Sequence, residues 1–270
     1  LLGELNSSHT GFTSQGDEEK TFYDYKTLAT GMLFNKENPY QVVHIIPSTP
    51  MDRKGISVQP GDLLVAVNGE NVNTTLNRES YFSKPTIDPE LSMTFKRGTS
   101  NFTVKIAPES SRDMSDQAYD EWIANNQKVV DEKGKQRIAY AYMKNMGNEE
   151  LEKFLIDMSS EAYHRDALIL DLRYNTGGNV HDKVIQFLSQ RPYLQWRYRE
   201  GELTQQPNFT PASKPIVLLV NEQSLSDAEM TAAGFKQLGL GKIIGTETYR
   251  WIIFTSGKGL VDGSFYRLPA

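Results

Sequence analysis

The chain contains no cysteine. That excludes a thiolate nucleophile, thiolate metal ligands and disulfides together. Histidine is scarce: His9, His44, His164 and His181 are the only four, and none stands in an HExxH-type pair. The pattern argues against a metal site, and no signature of a cofactor is present. No window approaches the roughly 18 apolar residues of a membrane helix, so membrane insertion is not expected. No Lys/Arg cluster offsets the formal net charge of −5, which argues against nucleic acid as a partner. What remains is a chain of 270 residues with 38% hydrophobic and 23% charged residues, globular in composition and long enough for two domains. It does not begin with Met, and both ends read as cut from a longer sequence, Leu1–Leu5 as mid-helix and Phe265–Ala270 as a strand just finished.

Two kinds of pattern follow one another. Residues 1–10 read as a short helix, and 11–20 as a polar loop. Strand signals then dominate: Gln41–Ile46, Asp62–Val67 closed by Asn68-Gly69, and a hairpin of Leu91–Lys96 with Phe102–Ile106. Pro108 to Gln136 is polar and charged, and reads as a connector. From Ile138 onward apolar strands alternate with amphipathic helices. The strands are Ile138–Met143, Leu168–Leu172, Ile216–Val220 and Lys242–Gly245; the helices are Asn148–Met158, Val180–Leu188 and Ala228–Leu238. Continuous apolar strands separated by helices predict a mostly parallel α/β layer. The expected division is 1–24 and 137–270 for one core, 25–107 for a small β-rich domain and 108–136 for the connector.

The stretch Ile56-Ser-Val-Gln-Pro-Gly-Asp-Leu-Leu-Val-Ala-Val-Asn-Gly69 resembles PDZ domains, where a Pro-Gly-Asp turn enters a buried strand ending in Asn-Gly. Gly31-Met32-Leu33-Phe34 stands where such domains place their carboxylate-binding loop and peptide-pairing strand. The resemblance implies a module that binds an extended peptide by adding a strand to a sheet edge.

Two strand–turn–helix elbows follow in the α/β part. Asp171-Leu172-Arg173-Tyr174-Asn175-Thr176-Gly177-Gly178 exposes backbone N–H groups ahead of a helix, which suits an anion or a developing oxyanion but also an ordinary turn. Asn221-Glu222-Gln223-Ser224-Leu225-Ser226-Asp227 presents a serine at the top of a buried strand. That serine reads either as a nucleophile or as a helix cap.

The elbows in this order, with the PDZ-like stretch before them, resemble the group containing the C-terminal processing (tail-specific) proteases and the tricorn protease. The resemblance implies a ClpP/crotonase-like, mostly parallel-sheet α/β protease core with the PDZ domain inserted after an N-terminal helical segment. It implies Ser226 as nucleophile, and the N–H groups of Gly178 (with Gly177) and Asp227 as oxyanion hole. C-terminal processing enzymes place a lysine base about 25 residues past the serine; here Trp251 stands at that place, and Lys258 lies seven residues further on. The segment Glu4-Leu5-Asn6-Ser7-Ser8-His9 is instead similar to the Ser-His pair of the tricorn branch. So are Ser226-Asp227-Ala228-Glu229, Phe235 to Gly241 and Leu260-Val261-Asp262-Gly263.

The resemblance then implies His9 as the general base, Ser8 as its assistant, and an assisting glutamate expected beyond residue 270. A neutral imidazole, with an ordinary pKa of about 6.5, suits the role chemically. His181, next to the glycine elbow, is the rival. The implied substrate is a peptide or unfolded protein; a homo-oligomer is compatible with the pattern, and compartment is undecided between cytosol and export. Two other readings stay open: a processing protease with a Ser–Lys dyad, and a catalytically silent PDZ scaffold.

Overall fold

The computed structural model describes residues 4, 6–15, 27–83, 89–160, 162–206 and 214–269. The chain divides into two compact units, one formed by residues 1–19 and 127–270, the other by 20–126.

In the first unit, strands Ile138–Tyr142, Ala167–Asp171, Ile216–Val220 and Lys242–Gly245 form a four-stranded sheet in that spatial order. Every pairing in it is parallel. Helices Asn148–Ser159, His181–Ser189 and Asp227–Gln237 make the crossovers. Strand side chains such as Leu168, Leu170, Ile216 and Leu218 pack with Phe154, Val184, Leu188 and Phe235 of the helices in one buried cluster. The apolar runs are continuous because helices must cover a parallel sheet.

A second sheet in the same unit was not legible. Gly11–Thr13 lies within the expected polar loop, yet it pairs antiparallel with Phe265–Pro269, which pairs in turn with Thr255–Gly259. Its side chains are largely exposed, so no alternation marks it. The expected N-terminal helix falls partly on Leu1–Gly3 and Leu5, outside the described residues. Of its described residues, Glu4 is 3₁₀-helical, whereas Asn6–Thr10 is not helical, since Asn6 and His9 take φ of 45° and 62°.

The second unit contains a four-stranded antiparallel sheet, ordered Glu70–Asn71, Leu63–Val67, Leu91–Arg97, Ser100–Ile106. A two-stranded pair of Met32–Phe34 with Val42–Ile45 and the short helix Glu79–Phe82 complete it. Tyr40, Val42, Leu64, Phe82, Met93 and Phe95 share its core. The compact unit is wider than the expected 25–107.

The expected connector is in fact a 24-residue helix, Ser111–Gly134. None of its residues is buried, so it carries no apolar stripe for a periodicity argument to find.

Candidate active site

The first elbow leaves the sheet at Asp171. Its buried carboxylate accepts bonds from the Arg173 N–H (3.0 Å), the Arg173 guanidinium (2.6 Å) and the Tyr140 hydroxyl (2.8 Å). The bond to Asp171 holds the Arg173 guanidinium more firmly protonated than usual, against the opposing effect of burial. Buried Asn175 ties down the turn that follows: its amide donates to the Met143 carbonyl (2.8 Å), and its side-chain oxygen accepts the Gly177 N–H (2.9 Å).

The second elbow leaves the neighbouring strand at Val220. Asn221 Oδ1 accepts the N–H groups of Tyr174 (3.0 Å) and Gln223 (3.2 Å). Ser224 is fully buried; its hydroxyl donates to the Leu172 carbonyl (2.8 Å) and accepts the Asn221 N–H (3.0 Å). Ser226, two residues on, is half-buried with φ 49° and ψ −108°. A non-glycine residue there is strained, and such strain persists only where the surroundings impose it. It is the backbone form of a sharp turn that lifts a serine off the end of a sheet.

The two elbows are fastened together. Tyr174 N–H reaches Asn221, Leu225 N–H reaches the Asn175 carbonyl (2.9 Å), and Ser224 reaches Leu172. Gly177 sits directly against Ser226: a Cβ on Gly177, whose φ is +80°, would stand 2.9 Å from the Ser226 Cβ. A Cβ on Gly178 would stand 2.1 Å from the Met146 carbonyl oxygen, an impossible approach. Only glycines allow this packing.

The Gly177 N–H is occupied by Asn175. That departs from its expected part in an anion site and leaves Gly177 a shaping role. Among the described residues, neither the Gly178 nor the Asp227 N–H donates to a protein acceptor. One of these donors follows Gly177, which packs against Ser226, and the other belongs to the residue after Ser226.

The Asp227 carboxylate faces the other way. It accepts the N–H groups of Val180 (2.8 Å) and His181 (3.0 Å), the start of helix His181–Ser189, and meets His181 Nδ1 at 2.5 Å. Negative charge at a helix N-terminus is favourable. His181 Nε2 faces Asp182 at 3.3 Å, so both ring nitrogens of the rival histidine are engaged by carboxylates. Lys258 lies exposed in the middle of strand Thr255–Gly259, opposite Tyr266.

His9 enters the site through a chain of contacts. Its Nδ1 is 3.2 Å from the Ser8 hydroxyl, which accepts a bond from the Trp251 indole N–H at 2.9 Å. The His9 and Trp251 rings pack edge to face, 4.3 Å apart. The Trp251 backbone N–H donates to Glu229 Oε2 (2.8 Å), and the same oxygen accepts the Ser226 N–H (2.8 Å). Among the described residues no hydrogen bond joins the His9 ring directly to the Ser226 hydroxyl.

Glu229 is the residue that reasoning from sequence passed over. Its signal was present: Ser226-x-x-Glu229 is the spacing of a capping box. Among the described residues no cluster of His, Asp and Glu could hold a metal ion.

Residues 137–270 match peptidase family S41. The match covers the part of the chain that holds the parallel sheet and both elbows. Tricorn protease homolog 1 of Streptomyces coelicolor is 26% identical over 278 residues, covering 99% of this chain and 26% of that protein. Tricorn protease of Thermoplasma acidophilum is 32% identical over 152 residues, covering 56% of this chain and 14% of its own length. The solved structure of the tricorn protease superposes with a TM-score of 0.68 at 24% identity, over 98% of this chain and 26% of that one. The likeness in fold therefore extends beyond residues 137–270 to nearly the whole chain. The chain spans about a quarter of the length of the first curated relatives it matches.

Proposed function

We propose that the chain is the catalytic part of a tricorn-type serine endopeptidase acting on peptides or unfolded proteins. Ser226 Oγ attacks the scissile carbonyl carbon, and His9 takes its proton and returns it to the leaving amine. The carbonyl oxygen becomes an oxyanion facing the Gly178 and Asp227 N–H groups, which have no competing protein acceptor among the described residues. His9 presents Nδ1 to Ser8, which leaves Nε2 as the nitrogen for the nucleophile.

The observation that supports this reading is the strained backbone of Ser226 packed against Gly177, together with the contacts Glu229–Trp251–Ser8 that connect His9 to the same elbow. The deciding experiment labels the full-length protein with a serine-directed phosphonate and maps the adduct. Labelling at Ser226 that disappears in His9→Ala and persists in Lys258→Ala supports the Ser–His reading. Loss in Lys258→Ala with retention in His9→Ala would give the site to a Ser–Lys dyad, and failure to label at all would leave a silent scaffold.

The unit formed by residues 20–126 is, in the same proposal, a PDZ domain that receives substrate chain. A groove of about 1010 Å³ runs beside strand Met32–Phe34 and is lined by Thr30, Met32, Phe34, Arg78 and Phe82. Strand Met32–Phe34 pairs only with Val42–Ile45 among the described residues, so its other edge is open to an added strand.

A further inference from the structure

Trp251 occupies the place where related enzymes with a lysine base would carry that lysine. Four contacts define its setting. The indole N–H donates to the Ser8 hydroxyl at 2.9 Å, across 243 positions of sequence. The ring stands edge to face against His9 at 4.3 Å. The ring of Tyr249 lies 5.2 Å away on a tilt. The backbone N–H is held by Glu229, which is itself fixed in the helix Asp227–Gln237 that Ser226 caps.

Glu229 is buried, and both of its oxygens are saturated. Oε2 accepts the Ser226 and Trp251 N–H groups; Oε1 accepts the Arg250 N–H (2.7 Å) and the Thr248 hydroxyl (2.8 Å). The segment Thr248–Trp251 is thus clamped to the nucleophile's own helix. The Tyr249 N–H, reaching the Ser224 carbonyl at 3.2 Å, adds a further tie to the second elbow.

We infer that Trp251 is a positioning residue for the His9 base, acting through Ser8. The inference rests on the Ser226–His9 reading above and goes beyond it. An indole N–H can only donate. By occupying one lone pair of Ser8 Oγ it fixes where that oxygen stands, and the same oxygen meets His9 Nδ1. The ring edge limits the plane the imidazole can adopt. Ser8 and His9 precede a three-residue strand on a segment with few buried contacts, and His9 itself takes a φ of 62°. Such a segment does not hold a general base within a fraction of an ångström unaided. Trp251 transfers to it the rigidity of the second elbow. A lysine at 251 would be drawn toward the nucleophile as a base; the tryptophan instead serves a base supplied from elsewhere in the chain.

The test is a double-mutant cycle in the full-length protein, read as kcat and KM on a fluorogenic peptide. Trp251→Phe keeps an aromatic ring and removes the N–H. It should lower kcat roughly tenfold with KM little changed, the size of one hydrogen bond lost at the reacting group. On a Ser8→Ala background the same substitution should cost almost nothing further, because the group it acts through is gone. Equal losses in both backgrounds, or no loss in either, would overturn the inference. Retained activity in the control His9→Ala would instead defeat the Ser–His reading itself, and the two failures are told apart by that control.

A second readout needs no turnover. Protonated imidazole quenches a neighbouring indole, so the emission assigned to Trp251 (wild type minus Trp251→Phe) should fall on acidification. That fall should vanish in His9→Ala. An acid response unaffected by His9→Ala would show that the contact is absent in solution, and the inference would fall whatever the activity.

Discussion

The two elbows begin alike and end differently. Each leaves a buried parallel strand, turns through polar residues and opens a helix. In the first, Asp171, Asn175 and the Gly177 backbone are all consumed in holding the turn, and only the Gly178 N–H is left over. In the second, the same division falls between two serines. Ser224 is buried and bonded on both sides of its oxygen, whereas Ser226 stands half-exposed in a strained conformation with its N–H held by Glu229. A turn that must present a reactive group spends its neighbours' polar atoms on the backbone. One residue type two positions apart can therefore be buried scaffold in one place and a half-exposed group on a strained turn in the other.

The sharpest way to break the comparison is at Ser226. Ser226→Ala should lower kcat/KM by about 10⁴-fold or more, while stability falls by no more than the worth of one helix cap, about 0.5–2 kcal/mol. Wild-type activity in Ser226→Ala would mean that the strained turn serves the fold alone.

Next is Gly178→Ala. Its Cβ would press on the Met146 carbonyl at 2.1 Å and force the first elbow away from the Met146 backbone, displacing the Gly178 N–H. A loss of about 10²-fold or more in kcat is expected, the scale of removing one oxyanion donor. Circular dichroism should show the sheet retained. Activity close to wild type would remove Gly178 from the site.

Glu229→Gln tests what holds the second elbow. An amide offers one acceptor oxygen where the carboxylate offers two, so one pair of N–H or O–H donors meets an NH₂ group instead. The expected cost is about 1–3 kcal/mol of stability, with a drop in kcat of roughly tenfold. Denaturant melts and steady-state kinetics read the two separately.

Ser224→Ala should invert the pattern of Ser226→Ala. It strands the Asn221 N–H and leaves the Leu172 carbonyl with the Asn175 N–H as its remaining donor, costing about 1–3 kcal/mol in urea unfolding, while kcat/KM stays within a few-fold of wild type. A variant that folds normally but is inactive would place the nucleophile at 224.

The mildest effect on the site should come from the other unit. Burial alone would raise the Asp62 carboxyl; bonds from Arg97 and the Gln59 N–H outweigh it and bring it below the usual carboxylate range. A depressed carboxyl stabilises the fold above its ordinary unfolded pKa, and that contribution is lost as pH falls through the lowered folded value. Asp62→Asn should therefore lower the melting temperature of the 20–126 unit at neutral pH and flatten its dependence on acid. Peptidase activity on a short peptide should be untouched. A pH-dependence identical to wild type would show that Asp62 is not the group responsible.

The local parts of this molecule were written in the order of its residues. Apolar runs of four to five residues gave the parallel strands, spacing of three and four gave the helices between them, and the turn residues at 171–178 and 221–227 marked both elbows. The long helix Ser111–Gly134 escaped because it buries nothing, and Gly11–Thr13 because a short exposed strand carries no alternation. Ser226, Gly178 and Asp227 could be singled out as candidates from the sequence because each sits in a local motif.

What only the tertiary structure decided is how those motifs share their polar atoms. It gave the Gly177 N–H to Asn175, both nitrogens of His181 to carboxylates, and the Ser8 hydroxyl to an indole from the far end of the chain. Periodicity and turn chemistry report on neighbours a few residues apart. A hydrogen bond between Ser8 and Trp251 leaves no trace at that range, since any donor that the fold brings to the same place would satisfy the same oxygen.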